Sequence, residues 1–190
     1  MLTLLAYVGH GQGHESLFTA NVQILETAVK AVESLCPNLK FWTLQTGGKA
    51  YGVEFLPHVP YNPPFSESTP RVPEPYASKI FYYGQYDALQ KLAQGKSWSF
   101  VEIRPDAVVG FVPQNNAMNL AQALGLWLAM WRSFEGEGSE VAFPGNEQVW
   151  KGKHTDTSQD ILARFHIWSS FQADRVRGKA FNVANGEVVT

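Results

Sequence analysis

The chain has 190 residues, enough for one hydrophobic core, and length alone gives no reason to propose a second domain. With 45% hydrophobic and 17% charged residues it is globular and not disordered; a net charge of -2 without runs of like charge excludes an electrostatic nucleic-acid surface. One cysteine, Cys36, excludes an internal disulfide and fits a reducing, cytoplasmic compartment.

Residues 2–8 are a continuous apolar run with no basic stretch, the pattern of a strand covered on both faces and not of a signal peptide. After a glycine-rich loop the spacing predicts a helix over 15–35. There Phe18, Val22, Leu25, Val29, Val32 and Cys36 recur at steps of three and four, which makes one buried face and a buried, structural Cys36. Cys36-Pro37-Asn38 ends the helix. Residues 39–46 read as a second buried strand, giving a βαβ unit with parallel strands and a right-handed crossover.

Residues 47–76 hold Pro57, Pro60, Pro63, Pro64, Pro70, Pro73 and Pro75 among aromatics, as in a long loop packed over something. A helix over 83–94, ended by Gly95, and a strand over 98–104, closed by Pro105, follow. Residues 117–132 are apolar on almost every side, so a buried helix is expected there. The stretch is shorter than the roughly 18 apolar residues of a membrane span. Thr157 and Asp160 resemble a capping box for a helix reaching about residue 171. Residues 181–183 form a last short strand, and the alternation argues for an open α/β sheet.

The loop Gly9-His10-Gly11-Gln12-Gly13-His14 between a strand and a helix suggests a dinucleotide fingerprint. The third glycine of G-x-G-x-x-G would fall at His14, however, and the second strand ends in Gln45-Thr46-Gly47-Gly48-Lys49 without the acidic residue that holds a ribose. It is rejected as the phosphate loop. His10 and His14 beside Glu15 do not follow H-E-x-x-H and lie before the helix, so no metal site is expected. Tyr76-Ala77-Ser78-Lys79 is one residue short of the Tyr-x-x-x-Lys pairing, and Pro75 before it indicates a loop.

Several short motifs stand in order along the chain: Leu44-Gln45-Thr46-Gly47-Gly48-Lys49, Phe81-Tyr82-Tyr83-Gly84, Trp98-Ser99 with Arg104-Pro105 and Gly110-Phe111, Met118-Asn119, His166-Ile167-Trp168, and Ala180-Phe181-Asn182-Val183-Ala184-Asn185-Gly186. Each is weak alone. Together, from about Tyr7 to Gly186, they resemble the progesterone 5β-reductase and iridoid synthase (PRISE) family of extended short-chain dehydrogenases, of which this chain looks like the central portion.

The resemblance implies a Rossmann-like parallel sheet, truncated so that the N-terminal glycine-loop βαβ portion and part of the C-terminal substrate domain are absent. Residues 1–190 would then be a single partial NAD(P)-binding domain, with 111–190 contributing to the substrate-binding region. It further implies an NADPH-dependent reductase of an enone, enal or ketone in natural-product metabolism. Lys49 and Tyr82 would be the catalytic pair, with Tyr83 the alternative if the register shifts by one. Val8, Gly9, Thr46, Pro105 and Val108 would line the cofactor, and Tyr51 and Met118 the substrate. Arg104 would tie down the strand end. The chemistry of the pair stands independently, because a tyrosine with a pKa near 10 acts as an acid–base group at neutral pH only beside a cation.

Two other functions remain open on the sequence. One is an NAD(P)-dependent epimerase or dehydratase. The other is an inactive remnant, shortened or a fragment, that binds a small molecule or a partner. Self-association is a further expectation, since an incomplete sheet leaves an apolar edge. Neither a membrane nor a nucleic acid is expected as a partner.

Overall fold

A computed structural model of the chain describes residues 2–4, 8–9, 13–114 and 119–189. Contacts within it divide the chain into two compact units, residues 1–105 with 165–182, and residues 106–164 with 183–190.

The first unit is an open sheet with strands in the order β1 (Leu2–Leu4), β2 (Phe41–Gln45), β3 (Ser99–Pro105) and β6 (Ala180–Val183). β1 pairs with β2, and β2 with β3, in parallel. The connection from β1 to β2 is α1 (His14–Leu35). Alternate side chains of β2 serve opposite faces. Trp42 and Leu44 join Leu25 and Val29 of α1, and Ala88 and Leu89 of α2 (Phe81–Leu92), in the main core. Each leucine or valine among them contributes about 1.5–3 kcal/mol by leaving water. Gly84 lets α1 and α2 approach closely, since a Cβ there would stand 2.5 Å from the Phe18 ring and 2.7 Å from Val22.

On the opposite face of β2, Thr43 and Gln45 meet His166 of α5 (Gln159–Phe171). His166 Nε2 lies 3.1 Å from Gln45 Oε1 and Nδ1 lies 3.2 Å from the Thr43 hydroxyl. A neutral ring protonated on Nε2 satisfies both contacts, and burial lowers the His166 pKa. α6 (Ala173–Val176) buries Val176 and leads into β6.

The proline-rich segment is ordered in three short 3₁₀ turns, Gly48–Tyr51, Val53–Phe55 and Ala77–Lys79. Val59 and Val72 from it pack with Ala50, Ile80 and Tyr83, which supplies what the loop was expected to lie on. Tyr76 and Lys79 are in a turn and not on a helix, and the Lys79 ammonium sits 5.2 Å above the Tyr76 ring.

In the second unit β4 (Ala107–Val109) pairs in parallel with β5 (His154–Ser158), and β7 (Val188–Val189) runs antiparallel to β5. It also holds α3 (Leu120–Glu135) and α4 (Glu147–Lys151).

Three expectations are corrected. α3 has no buried residue, and Leu126, Leu128 and Met130 are about half exposed. Apolarity on all sides states a need for cover, and this unit does not meet it. Cys36 is exposed, because it is the C-cap of α1, one residue past the helix end at Leu35 and well beyond Val29, the last buried residue of the helix. The cap of α5 is Ser158, whose hydroxyl accepts from the Ile161 amide at 3.3 Å. Thr157 lies inside β5 instead, its hydroxyl donating to the Val183 carbonyl at 2.7 Å and accepting from the Asp106 amide at 3.0 Å.

Candidate active site

The carboxyl ends of β2 and β3 lie side by side, the place where open α/β sheets take their ligands. β2 runs out into Thr46 and Gly47, whose extended backbone starts the turn carrying Lys49. Gly47 is closely approached: a Cβ there would stand 3.3 Å from the Pro105 carbonyl oxygen and 4.0 Å from the Tyr82 hydroxyl. The Tyr82 hydroxyl and the Pro105 carbonyl therefore both lie beside one strand end. Tyr82 reaches it from the first turn of α2, its ring edge-on to Phe81 at 4.7 Å.

Tyr83, the next residue, points elsewhere. It is buried, its hydroxyl donating to the Ala50 carbonyl at 2.6 Å and accepting from the Val72 amide at 3.1 Å. Burial raises its pKa, against that hydrogen bond and the charges of Arg104 and Arg71. Successive residues of a helix lie about 100° apart, so one faces the strand end and the other pins the loop.

The Lys49 ammonium pairs with Glu54 at 2.9 Å, on a side chain 58% exposed. Glu54 was not singled out from the sequence; an acidic residue five positions on in an unclassified loop gives no periodic signal.

Thr46 is buried, its amide donating to the Ile103 carbonyl at 2.8 Å and its hydroxyl to Glu102 Oε1 at 2.8 Å. Glu102 also accepts from Arg104 Nη2 at 2.7 Å, and Arg104 Nη1 donates to the Tyr51 hydroxyl at 3.2 Å. Tyr51 in turn donates to Asn182 Oδ1 at 2.6 Å and stacks on Phe65 at 5.0 Å. Burial works to lower the Arg104 pKa, but hydrogen bonding and charge from Glu102 outweigh it and raise it. Glu102 and Asn182 were missed. The available signal was a lone acidic residue inside the otherwise apolar run Phe100 to Ile103.

Val8 and Gly9 are exposed, and both backbone groups of Val8 are held by Asn21 of α1. Asn21 Oδ1 accepts from the Val8 amide at 2.9 Å and Nδ2 donates to its carbonyl at 3.0 Å. The structure brings Thr46, Lys49, Tyr51, Tyr82 and Pro105 into the first unit. Val108 lies in β4 of the second unit, paired with Thr157. Met118 and His10 lie outside the described residues. Among the described residues no cluster of three or more His, Cys, Asp or Glu could hold a metal, and no helix is long and apolar enough to cross a membrane.

Comparison with known proteins places this geometry among relatives. The sequence profile of the PRISE-like Rossmann-fold domain matches residues 3–190. A short chain dehydrogenase of Leptosphaeria maculans is 41% identical over 182 residues, 94% of this chain and 44% of its own length. A 3-oxo-Delta(4,5)-steroid 5-beta-reductase of Arabidopsis thaliana is 32% identical over 174 residues, 89% of this chain and 42% of its own. This chain thus spans under half the length of either relative. Among solved structures, RMD of Pseudomonas aeruginosa in complex with NADPH superposes with a TM-score of 0.67 at 12% identity, over 98% of this chain and 59% of that one, a likeness of fold.

Proposed function

We propose a function that proceeds from kinship: this chain belongs to the PRISE-like Rossmann-fold family, and its two catalytic side chains are Tyr82 and Lys49 of an NADPH-dependent reductase. The substrate class is an enone, enal or ketone of natural-product metabolism. The observation that carries the reading is the Tyr82 hydroxyl beside Gly47 and the Pro105 carbonyl at adjoining strand ends.

The residues present fit a nicotinamide cofactor there. Gly47 leaves open the space a side chain would fill, and Thr46 and Pro105 stand at the strand ends along which the cofactor would lie, with Val8, Gly9 and Val108 as further contacts. The cofactor, when bound, supplies the hydride. The chain supplies the rest. Tyr82 offers a hydroxyl to the substrate carbonyl oxygen, where negative charge develops as the β-carbon of an enone is reduced. Lys49 provides the cation that eases this transfer by favouring the phenolate. Glu54 pairs with that ammonium at 2.9 Å, while the buried Tyr83 is spent on the loop and is no competitor. The name of the steroid 5-beta-reductase relative describes reduction of a conjugated ketone, which supports the substrate class. Residues 111–190 would contribute walls of the substrate region, Met118 and Tyr51 among the contacts.

Titration calorimetry of the chain with NADPH, and separately NADH, tests the cofactor; micromolar binding of NADPH with weaker NADH is expected. Tyr82→Phe is expected to lower enone turnover by about 100-fold or more while NADPH binding persists. Unchanged turnover in Tyr82→Phe would sink the catalytic assignment. A folded chain that binds neither nucleotide would leave a binding protein without reductase chemistry.

A further inference from the structure

The turn that carries Lys49 is held from three sides, and two of the holds converge on the Glu102–Arg104 ion pair. Thr46, just before the turn, hydrogen-bonds Glu102 at 2.8 Å. Tyr51, its last residue, accepts from Arg104 at 3.2 Å, and the guanidinium lies 5.1 Å from the Tyr51 ring centre. Arg104 joins the two holds by donating to Glu102 at 2.7 Å. The third hold is Tyr83, through the Ala50 carbonyl at 2.6 Å. Glu102 is 2% exposed and Tyr51 4%, whereas Lys49 between the anchors projects outward.

We propose that Arg104 is a positioning residue: by clamping Thr46 through Glu102, and Tyr51 directly, it fixes the Gly48–Tyr51 turn and hence the placement of Lys49 relative to Tyr82. The role rests on the reductase reading of Lys49 and Tyr82. A guanidinium suits it because a planar fork reaches two acceptors at fixed angles, which a single ammonium cannot do. Arg104 Nη1 and Nη2 serve Tyr51 and Glu102, and the tyrosine extends the clamp to Asn182 of β6 at 2.6 Å. Asn182 is itself held by Glu67, which accepts from its amide at 2.8 Å. One half-buried cation thereby ties β2, β3, the Lys49 turn and β6 together.

Two substitutions in the full chain test this. Arg104→Lys keeps the charge and loses the fork. Tyr51→Phe keeps the ring on Phe65 and removes the hydroxyl, which covers the case in which Arg104→Lys does not fold. Amide exchange at Ala50 and Gly52, whose hydrogen bonds close the turn, is expected to quicken by about tenfold or more, with Thr43 and Val101 unchanged. With NADPH and an enone, kcat is expected to fall about 10- to 100-fold in both variants, while KM of Arg104→Lys stays within about threefold.

Uniform loss of protection across the sheet, or unchanged exchange in the turn, would overturn the clamp. So would a raised KM at unchanged kcat in Arg104→Lys, because Arg104 is given no contact with substrate. Wild-type kcat in both folded variants would overturn the positioning role alone. Wild-type turnover in Tyr82→Phe would overturn the reductase reading, and no turnover by the unsubstituted chain would remove that reading and the positioning role with it.

Discussion

The two compact units are built from similarly apolar sequence and treat it in opposite ways. In the first, Leu25, Val29, Trp42 and Leu89 are wholly buried between two helices and a parallel sheet, and even the charged Glu102 is enclosed with its partners. In the second, α3 exposes Leu124, Leu126, Leu128 and Met130, and the buried residues are few, among them Asn119, Thr157, Leu162 and Val183. Apolar content sets how much cover an element requires. Register against a neighbouring strand or helix decides whether it gets any, and the first unit has that register on both faces of β2.

The sharpest way to break this comparison is at the enclosed charge. Glu102→Gln leaves Arg104 without its counter-charge in a buried site and is expected to cost about 4 kcal/mol, read from denaturant unfolding; a loss no larger than that of an exposed ion pair would show the site to be wet. Leu44→Ala, which opens a cavity in the first unit's core, is expected to cost about 3 kcal/mol by the same measurement.

A smaller effect comes from His166. Burial lowers its pKa, so the folded state prefers the neutral ring and the unfolded chain protonates first. The contribution is neutral above the ordinary histidine value of about 6.5. Stability then falls as pH drops below that value, until the lowered folded pKa is passed. Melting temperatures across this range should decline less in His166→Gln than in the unsubstituted chain; parallel declines would mean that His166 is not protected from protons.

Smallest of all should be Leu128→Lys on α3, within about 0.5 kcal/mol of the unsubstituted chain. A loss as large as that of Leu44→Ala would show that α3 is covered in solution and that the two units are alike after all.

Legibility in the sequence followed the same division. Periodicity located α1, and an apolar run located β2, because the residues that pattern them are the residues that are buried, Leu25 and Val29 among them. It failed for α3 because a pattern apolar on every side has no face to read, and for Cys36 because the repeat continues one step past the last buried turn. Thr157 illustrates a different limit. A capping box and a strand threonine bonded across a sheet can share the same local spelling, and only the Val183 carbonyl decides between them. At the candidate site the ordered motifs pointed to Lys49 and Tyr82, and adjacency on the helix separates Tyr82 from Tyr83. Glu54, Asn182 and Glu102 could not be found that way, since each acts through a partner distant in sequence or outside any regular element.

Asn21 carries a consequence of its own. Its side-chain amide stands in for a neighbouring peptide group, giving Val8 one acceptor and one donor, and Nδ2 also donates to the Leu17 carbonyl at 2.8 Å. Position 21 therefore discriminates by polarity pattern and not by size. Aspartate matches the shape but has no donor for the Val8 carbonyl, and leucine matches the volume but answers neither group. Among side chains that fit, only one that both gives and receives at a single planar end can satisfy both backbone groups of Val8.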